Sequence, residues 1–122
     1  MAKILIVDDS VLARKKLKNI IENTEHEIVG EAEDGYEAFK KYRELEPDLV
    51  TMDINMPFLD GIGALRLIKE EYANAKIIMV TVLGQGNKML EVLNNGAINC
   101  INKPFKDNQI IEAINEAVKI NY

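Results

Sequence analysis

Asp53 is a carboxylate set where a buried strand should end. Leu49, Val50 and Met52 form a short apolar run of strand character before it, and Asn55-Met56-Pro57 with Asp60-Gly61 supply turn residues after it. Taken alone, such a residue is ordinarily the start of a loop. The rest of the chain repeats the pattern, because apolar runs also stop at Asp8-Asp9, at Thr81 and at Lys103. Three carboxylates brought together repel one another unless they are protonated or meet a cation. All-oxygen ligands, with no His or Cys cluster, point to a hard ion. An open face suits Mg²⁺, which keeps waters and shares phosphate oxygens. A carboxylate is also a competent nucleophile toward phosphorus, and phosphoryl transfer needs mainly positioning and charge neutralisation. Mg²⁺ would neutralise one side of such a group, the Lys103 ammonium would pair with another oxygen, and Thr81 would offer a hydroxyl donor. Singly, Lys103 reads as a surface lysine beside a turn proline and Thr81 as a strand residue chosen for β-propensity. It is the four strand ends together that make a site.

The elements that must position these residues alternate five times between strand-length apolar runs and helical patterns. That alternation predicts an α/β fold, a parallel sheet with helices on both faces. The first strand is Lys3 to Val7. The helix after it is capped by Ser10 or Asp9 and turns Leu12, Leu17, Ile20 and Ile21 inward, leaving Arg14, Lys15, Lys16 and Lys18 on a solvated face. Glu27 to Glu33, with its Gly and charges, reads as an edge strand. Asp34-Gly35 leads into a helix through Ala38, Phe39, Tyr42 and Leu45 that Pro47 closes. Ile62, Leu65, Leu67 and Ile68 mark the third helix, and Lys76 to Thr81 the fourth strand. A loop with Gly84 and Gly86 precedes a helix over Lys88 to Asn95, in which Met89, Leu90, Val92 and Leu93 are available for packing. Ile98 to Asn102 and a helix through Ile110, Ile111, Ile114, Ala117 and Val118 complete the chain. Because parallel strands point the same way, their polar ends share one edge of the sheet and meet at the crevice where the winding reverses. His26, in the polar loop NTEHE, reads as a surface residue away from that edge.

With 122 residues, 48% apolar and 29% charged, the chain suits one globular domain spanning residues 1–122. A net charge of −5 disfavours direct binding to nucleic acid. Cys100 stands alone and forms no internal disulfide, as expected of a cytoplasmic protein. Ile4 to Val7 is too short a run before Asp8-Asp9 for a signal peptide, and nothing reaches membrane-spanning length. Met1 suits a native start, although a domain cut from a longer protein would look the same.

Four stretches together, VDDS at Val7 to Ser10, MDINMPFLDG at Met52 to Gly61, Thr81 at its strand end and NKPF at Asn102 to Phe105, resemble the receiver domains of two-component response regulators. The resemblance covers essentially the whole chain, and its single-domain length and TVLGQG loop favour the chemotaxis type. It implies a flavodoxin-like (βα)5 fold, doubly wound, with strand order 2-1-3-4-5. It makes Asp53 the phosphoacceptor, with Asp9 and Asp53 as direct Mg²⁺ ligands, Asp8 acting through water and Asn55 ligating through its backbone carbonyl. Thr81 becomes the switch hydroxyl, Lys103 its ion-pairing partner, and Lys103-Pro104 a cis peptide. It also implies a sensor histidine kinase or phosphotransfer protein as donor and a downstream protein bound by the helix 4, strand 5 and helix 5 face. The expected protein is a monomeric signalling switch that assists only its own modification, and so not an enzyme. The alternatives are a receiver module or phosphorelay intermediate of another pathway, or a Mg²⁺-dependent phosphohydrolase. Against the last, the second Asp that such enzymes place two residues after the nucleophile is here Asn55, which transfers no proton. Three positions depart from or tune the pattern. Cys100 replaces an aromatic switch residue, Val82 adds bulk beside the acceptor, and Leu83 offers nothing to orient a hydrolytic water, which predicts a long-lived phosphoprotein.

Overall fold

The sheet is apolar on both faces, and strand alternation sorts its residues into two cores. The computed structural model describes residues 1–84 and 87–122, so Gly86 lies outside the described residues. In chain order the elements are β1 (Lys3–Val7), α1 (Val11–Glu22), β2 (Glu27–Ala32), α2 (Gly35–Leu45), β3 (Leu49–Met52), α3 (Gly61–Glu71), β4 (Ile77–Thr81), α4 (Lys88–Asn94), β5 (Asn99–Asn102) and α5 (Asp107–Val118). The five strands are parallel in the order β2-β1-β3-β4-β5, as the resemblance implied, with β2 at an edge. Ile4 and Ile6 pack with Leu17, Ile21, Ile110 and Ile114 under α1 and α5. Leu5 and Val7 face the other way, toward Ala38, Leu65, Ile68 and Val92 of α2, α3 and α4.

Helix starts follow local chemistry. Ser10, Asp34 and Asp60 accept backbone N–H bonds from Ala13, Glu37 and Gly63, so α1, α2 and α3 each begin immediately beyond a strand-end loop. Pro47 follows α2 as expected, after a left-handed cap at Glu46. Lys103-Pro104 is cis. Among the described residues, no helix is long and apolar enough to cross a membrane.

Three sequence expectations need correction. In α1 the inward stripe runs Arg14, Leu17, Ile20 and Ile21, while Leu12 is 79% exposed. Five residues from Leu17, Leu12 is rotated about 140° off that stripe, and Arg14 takes its place because partners on β2 satisfy its charge. In α4 only Val92 is buried, and Met89, Leu90 and Leu93 face outward. A seven-residue helix lying on one side of the sheet buries a single narrow stripe. His26 is buried, since Nδ1 accepts the Ala2 N–H at 3.0 Å and Nε2 lies 2.8 Å from Asn115 Oδ1. With Nδ1 accepting, Nε2 carries the ring proton and donates to Asn115. The imidazole thus ties the amino end of the sheet to α5, at the edge opposite the strand carboxyl ends.

Thr51 is the odd residue of the core. It is 1% exposed, shares the α1/α5 face with Leu49, and its hydroxyl finds no hydrogen-bond partner among the described residues. Thr51→Val removes an unpaired hydroxyl at nearly constant shape. It is expected to stabilise the protein by about 1 kcal/mol, read as a higher urea midpoint at unchanged slope.

Candidate functional site

Parallel pairing brings the four strand ends together residue by residue. Val7 pairs with Met52, Met52 with Met79, and Thr81 with Asn102, so Asp8, Asp53, Thr81 and Lys103 rise side by side from adjacent strands. Backbone bonds continue past the strands, from Asp53 N–H to the Val7 carbonyl at 3.0 Å and from Lys103 N–H to the Thr81 carbonyl at 2.8 Å. The carboxylate oxygens of Asp8, Asp9 and Asp53 lie within 4.8 Å of one another, Asp9 exposed and the other two buried.

Asp53 Oδ1 accepts the Ile54 N–H at 2.8 Å and the Thr81 hydroxyl at 2.5 Å. Oδ2 has no such bond among the described residues, and the Lys103 ammonium stands 3.8 Å from it. One oxygen is held and the other left open. Lys103 pairs more closely with Asp8 Oδ2, at 2.7 Å, and Asp8 Oδ1 accepts the Ser10 N–H at 2.9 Å. Gly61 locks the loop below: its N–H donates to the Ile54 carbonyl at 2.8 Å, and a Cβ on it would sit 2.0 Å from the Asp53 carbonyl oxygen.

Burial, above all, pushes the Asp53 carboxyl upward, and the Asp8 charge adds to it, against the bonds from Thr81 and Ile54 and the Lys103 charge. A carboxylate whose folded pKa is raised favours the folded state at low pH and loses that contribution as pH rises through the folded value. Asp53→Asn is therefore expected to raise the Tm of the metal-free protein at pH 7, by roughly 4 °C for each kcal/mol relieved, and to lose this advantage as the pH falls into the ordinary carboxylate range. Thermal melts in chelator across that range check the sign.

The remaining site residues are distributed around the rim. Asn55 is exposed and lines a cavity of about 300 Å³ with Ile54, Val82, Gly84 and Lys88. Val82 is 61% exposed and also borders a cavity of about 280 Å³ with Lys103 and Phe105, so its isopropyl group stands at the mouth of the site. Cys100 points into the core beside Val92 and Ala97, where burial pushes its thiol pKa up.

Arg14 was missed by the sequence reading. Its guanidinium, only 10% exposed, donates to the Asp8 backbone carbonyl at 2.7 Å, to Glu31 at 2.9 Å and toward Glu33 at 3.4 Å. Burial pushes Glu31 up, but the bonds from Arg14 and Lys18 outweigh it and hold the carboxyl below its usual range. The available signal was helical spacing, since Arg14 lies three residues before Leu17 on the buried stripe.

A doubly wound parallel sheet with an acidic triad, a hydroxyl and an ammonium at its carboxyl edge defines an aspartate-centred signalling domain. The chain belongs to the response regulator receiver domain family, which it matches over residues 4–115. Within that family it is similar to chemotaxis protein CheY of Listeria monocytogenes, 44% identical over 98% of this chain and all of that one. It is likewise similar to CheY of Bacillus subtilis, 46% identical over 95% of this chain and 97% of the other. Among solved structures, the CheX-CheY-BeF3-Mg²⁺ complex of Borrelia burgdorferi aligns at TM-score 0.92 and 36% identity, covering 98% of this chain and 90% of that one.

Proposed function

We propose that this receiver domain is a chemotaxis-type switch that accepts a phosphoryl group on Asp53, using Mg²⁺ held by Asp8, Asp9, Asp53 and the Asn55 backbone carbonyl. The observation that carries this reading is the asymmetry of Asp53: Oδ1 is held by Thr81 and Ile54, and Oδ2 is open beside the acidic pair and Lys103. The donor set is all oxygen, and two of its carboxylates are buried, which suits a hard cation. The Borrelia CheY complex contains Mg²⁺ and BeF3, which supports the same use here. When bound, Mg²⁺ supplies charge neutralisation at the phosphoryl oxygens.

Asp53 Oδ2 attacks phosphorus in line with the donor's P–N bond. The new O–P bond forms as the P–N bond breaks, and the departing imidazole keeps the electron pair and takes a proton from solvent. Lys103, already between Asp8 and Asp53, turns to the incoming phosphoryl oxygen, and the Thr81 hydroxyl exchanges Asp53 Oδ1 for another. The site gains roughly one unit of negative charge, enough to bias the β4–α4 region. The exposed Met89, Leu90 and Leu93 of α4, with β5 and α5, present the output surface to a downstream protein. The donor is a sensor histidine kinase or phosphotransfer protein. Residues 1–122 act as one monomeric cytoplasmic receiver, assisting its own phosphorylation and dephosphorylation and turning over no outside substrate.

The test is intact mass after incubation with acetyl phosphate and Mg²⁺. One added phosphoryl group, lost with chelator and in Asp53→Asn, is the expected result. No gain in the wild type, together with no response to beryllofluoride and Mg²⁺, would overturn the reading. Lifetime has its own test: Leu83→Glu is expected to shorten the phosphoprotein half-life several-fold by giving water a base to orient it, and an unchanged half-life rejects that role for Leu83.

A further inference from the structure

We infer that Arg14 is a positioning residue for the cation site, holding the Asp8-Asp9 turn in its binding geometry through the Asp8 backbone carbonyl while Glu31 and Glu33 offset its charge. The inference rests on the Mg²⁺-dependent reading above. Asp8 is fixed at its other polar groups as well: its N–H donates to the Ala32 carbonyl at 3.0 Å, and its carboxylate is shared between Ser10 N–H and Lys103. The carbonyl belongs to the peptide that leads into Asp9, and because a peptide is planar, holding that oxygen also fixes the plane from which Asp9 departs. Asp9 is the exposed member of the triad. Arg14 is therefore the group that constrains the entry to Asp9 from the protein side.

A buried cation beside a metal site should compete with the metal, but two carboxylates offset the charge of this one. Arg14 faces the carboxylates of Glu31, on β2, and Glu33, just beyond it, and the nearer, Glu31, also takes Lys18 at 3.2 Å. The guanidinium fork can serve Glu31, Glu33 and a carbonyl at once, a geometry an ammonium lacks. Edge strand β2 thereby supports the site twice, through the Ala32 carbonyl on Asp8 and through Glu31 on Arg14.

Magnesium binding to the whole protein without phosphodonor, measured by calorimetry, tests the inference. Arg14→Met is expected to raise the Mg²⁺ Kd about tenfold, the scale seen when a group supporting a metal ligand is lost. It is also expected to speed hydrogen exchange at the Ser10 amide in the metal-free protein. Lys18→Met, which breaks an ion pair to Glu31 but leaves the Asp8 bond, is expected to keep the wild-type Kd. Should Arg14→Met fail to fold, Arg14→Gln takes its place, since its side chain stops short of the Asp8 carbonyl. A folded Arg14 variant with a Kd within about twofold of wild type and unchanged Ser10 exchange overturns the inference. If the wild type itself binds no Mg²⁺, the functional reading fails first, and this inference with it.

Discussion

Lys103→Met will slow phosphorylation of Asp53 by acetyl phosphate about a hundredfold while leaving Mg²⁺ binding intact or stronger. The ammonium sits 2.7 Å from Asp8 Oδ2 and 3.8 Å from Asp53 Oδ2, so before transfer it occupies a carboxylate that the cation would also use. Removing it deprives the transferring oxygens of a positioned donor, and at the same time removes a positive charge that opposes cation entry. The two effects have opposite signs, which separates loss of chemistry from loss of structure. Initial rates of mass gain at saturating Mg²⁺, set beside the Mg²⁺ Kd, give the comparison. Lys119→Met, at a side chain 73% exposed and remote from the site, serves as the control. A Lys103→Met rate within about twofold of wild type would remove Lys103 from the phosphoryl-binding role.

Gly61→Ala is expected to cost about 3 kcal/mol or more, the largest effect of an alanine at any glycine among the described residues. The added Cβ would lie 2.0 Å from the Asp53 carbonyl oxygen and 2.7 Å from the Ile54 Cα, and both are backbone atoms that move only with the loop that follows Asp53. The glycine is required by close approach to the loop, whereas Gly84, with nothing among the described residues within 4 Å of its would-be Cβ, is expected to tolerate Ala at little cost. Urea unfolding of the two variants checks the contrast. Because the strain falls on the Asp53 peptide, any folded Gly61→Ala protein should also accept phosphoryl groups more slowly than wild type. A midpoint equal to that of wild type would show that the α3 start can move away from Asp53.

The position of Asp53, Thr81 and Lys103 at strand ends was legible because each signal is local. An apolar run, a polar stop and a turn residue lie within a few positions of one another, and parallel pairing then forces the stops to one edge. The cap expected at Ser10 or Asp9 falls on Ser10, and the turn residues Asp34 and Asp60 prove to be caps as well, each side chain bonding an amide three residues on. The strand order came from the VDDS, MDINMPFLDG and NKPF motifs, since alternation alone fixes parallel strands without ordering them.

The misreadings share another cause. Arg14 and His26 looked like surface residues because what buries them lies far along the chain: Glu31 is 17 positions from Arg14, and Asn115 is 89 from His26. A charged or polar side chain enters a core only where such partners meet it. Helical spacing placed Met89, Leu90 and Leu93 among the packing candidates of α4, yet which stripe of a helix turns inward depends on what lies beneath it. The sequence by itself determined a parallel α/β fold and the residues at its reactive edge, because periodicity and turn chemistry act over a few residues. Only the tertiary structure decided that Lys103 rests on Asp8, that Oδ2 of Asp53 is the open oxygen, and that Arg14 grips the Asp8 carbonyl. Those outcomes are set by distances between elements far apart in the chain, which packing fixes and local propensity does not encode.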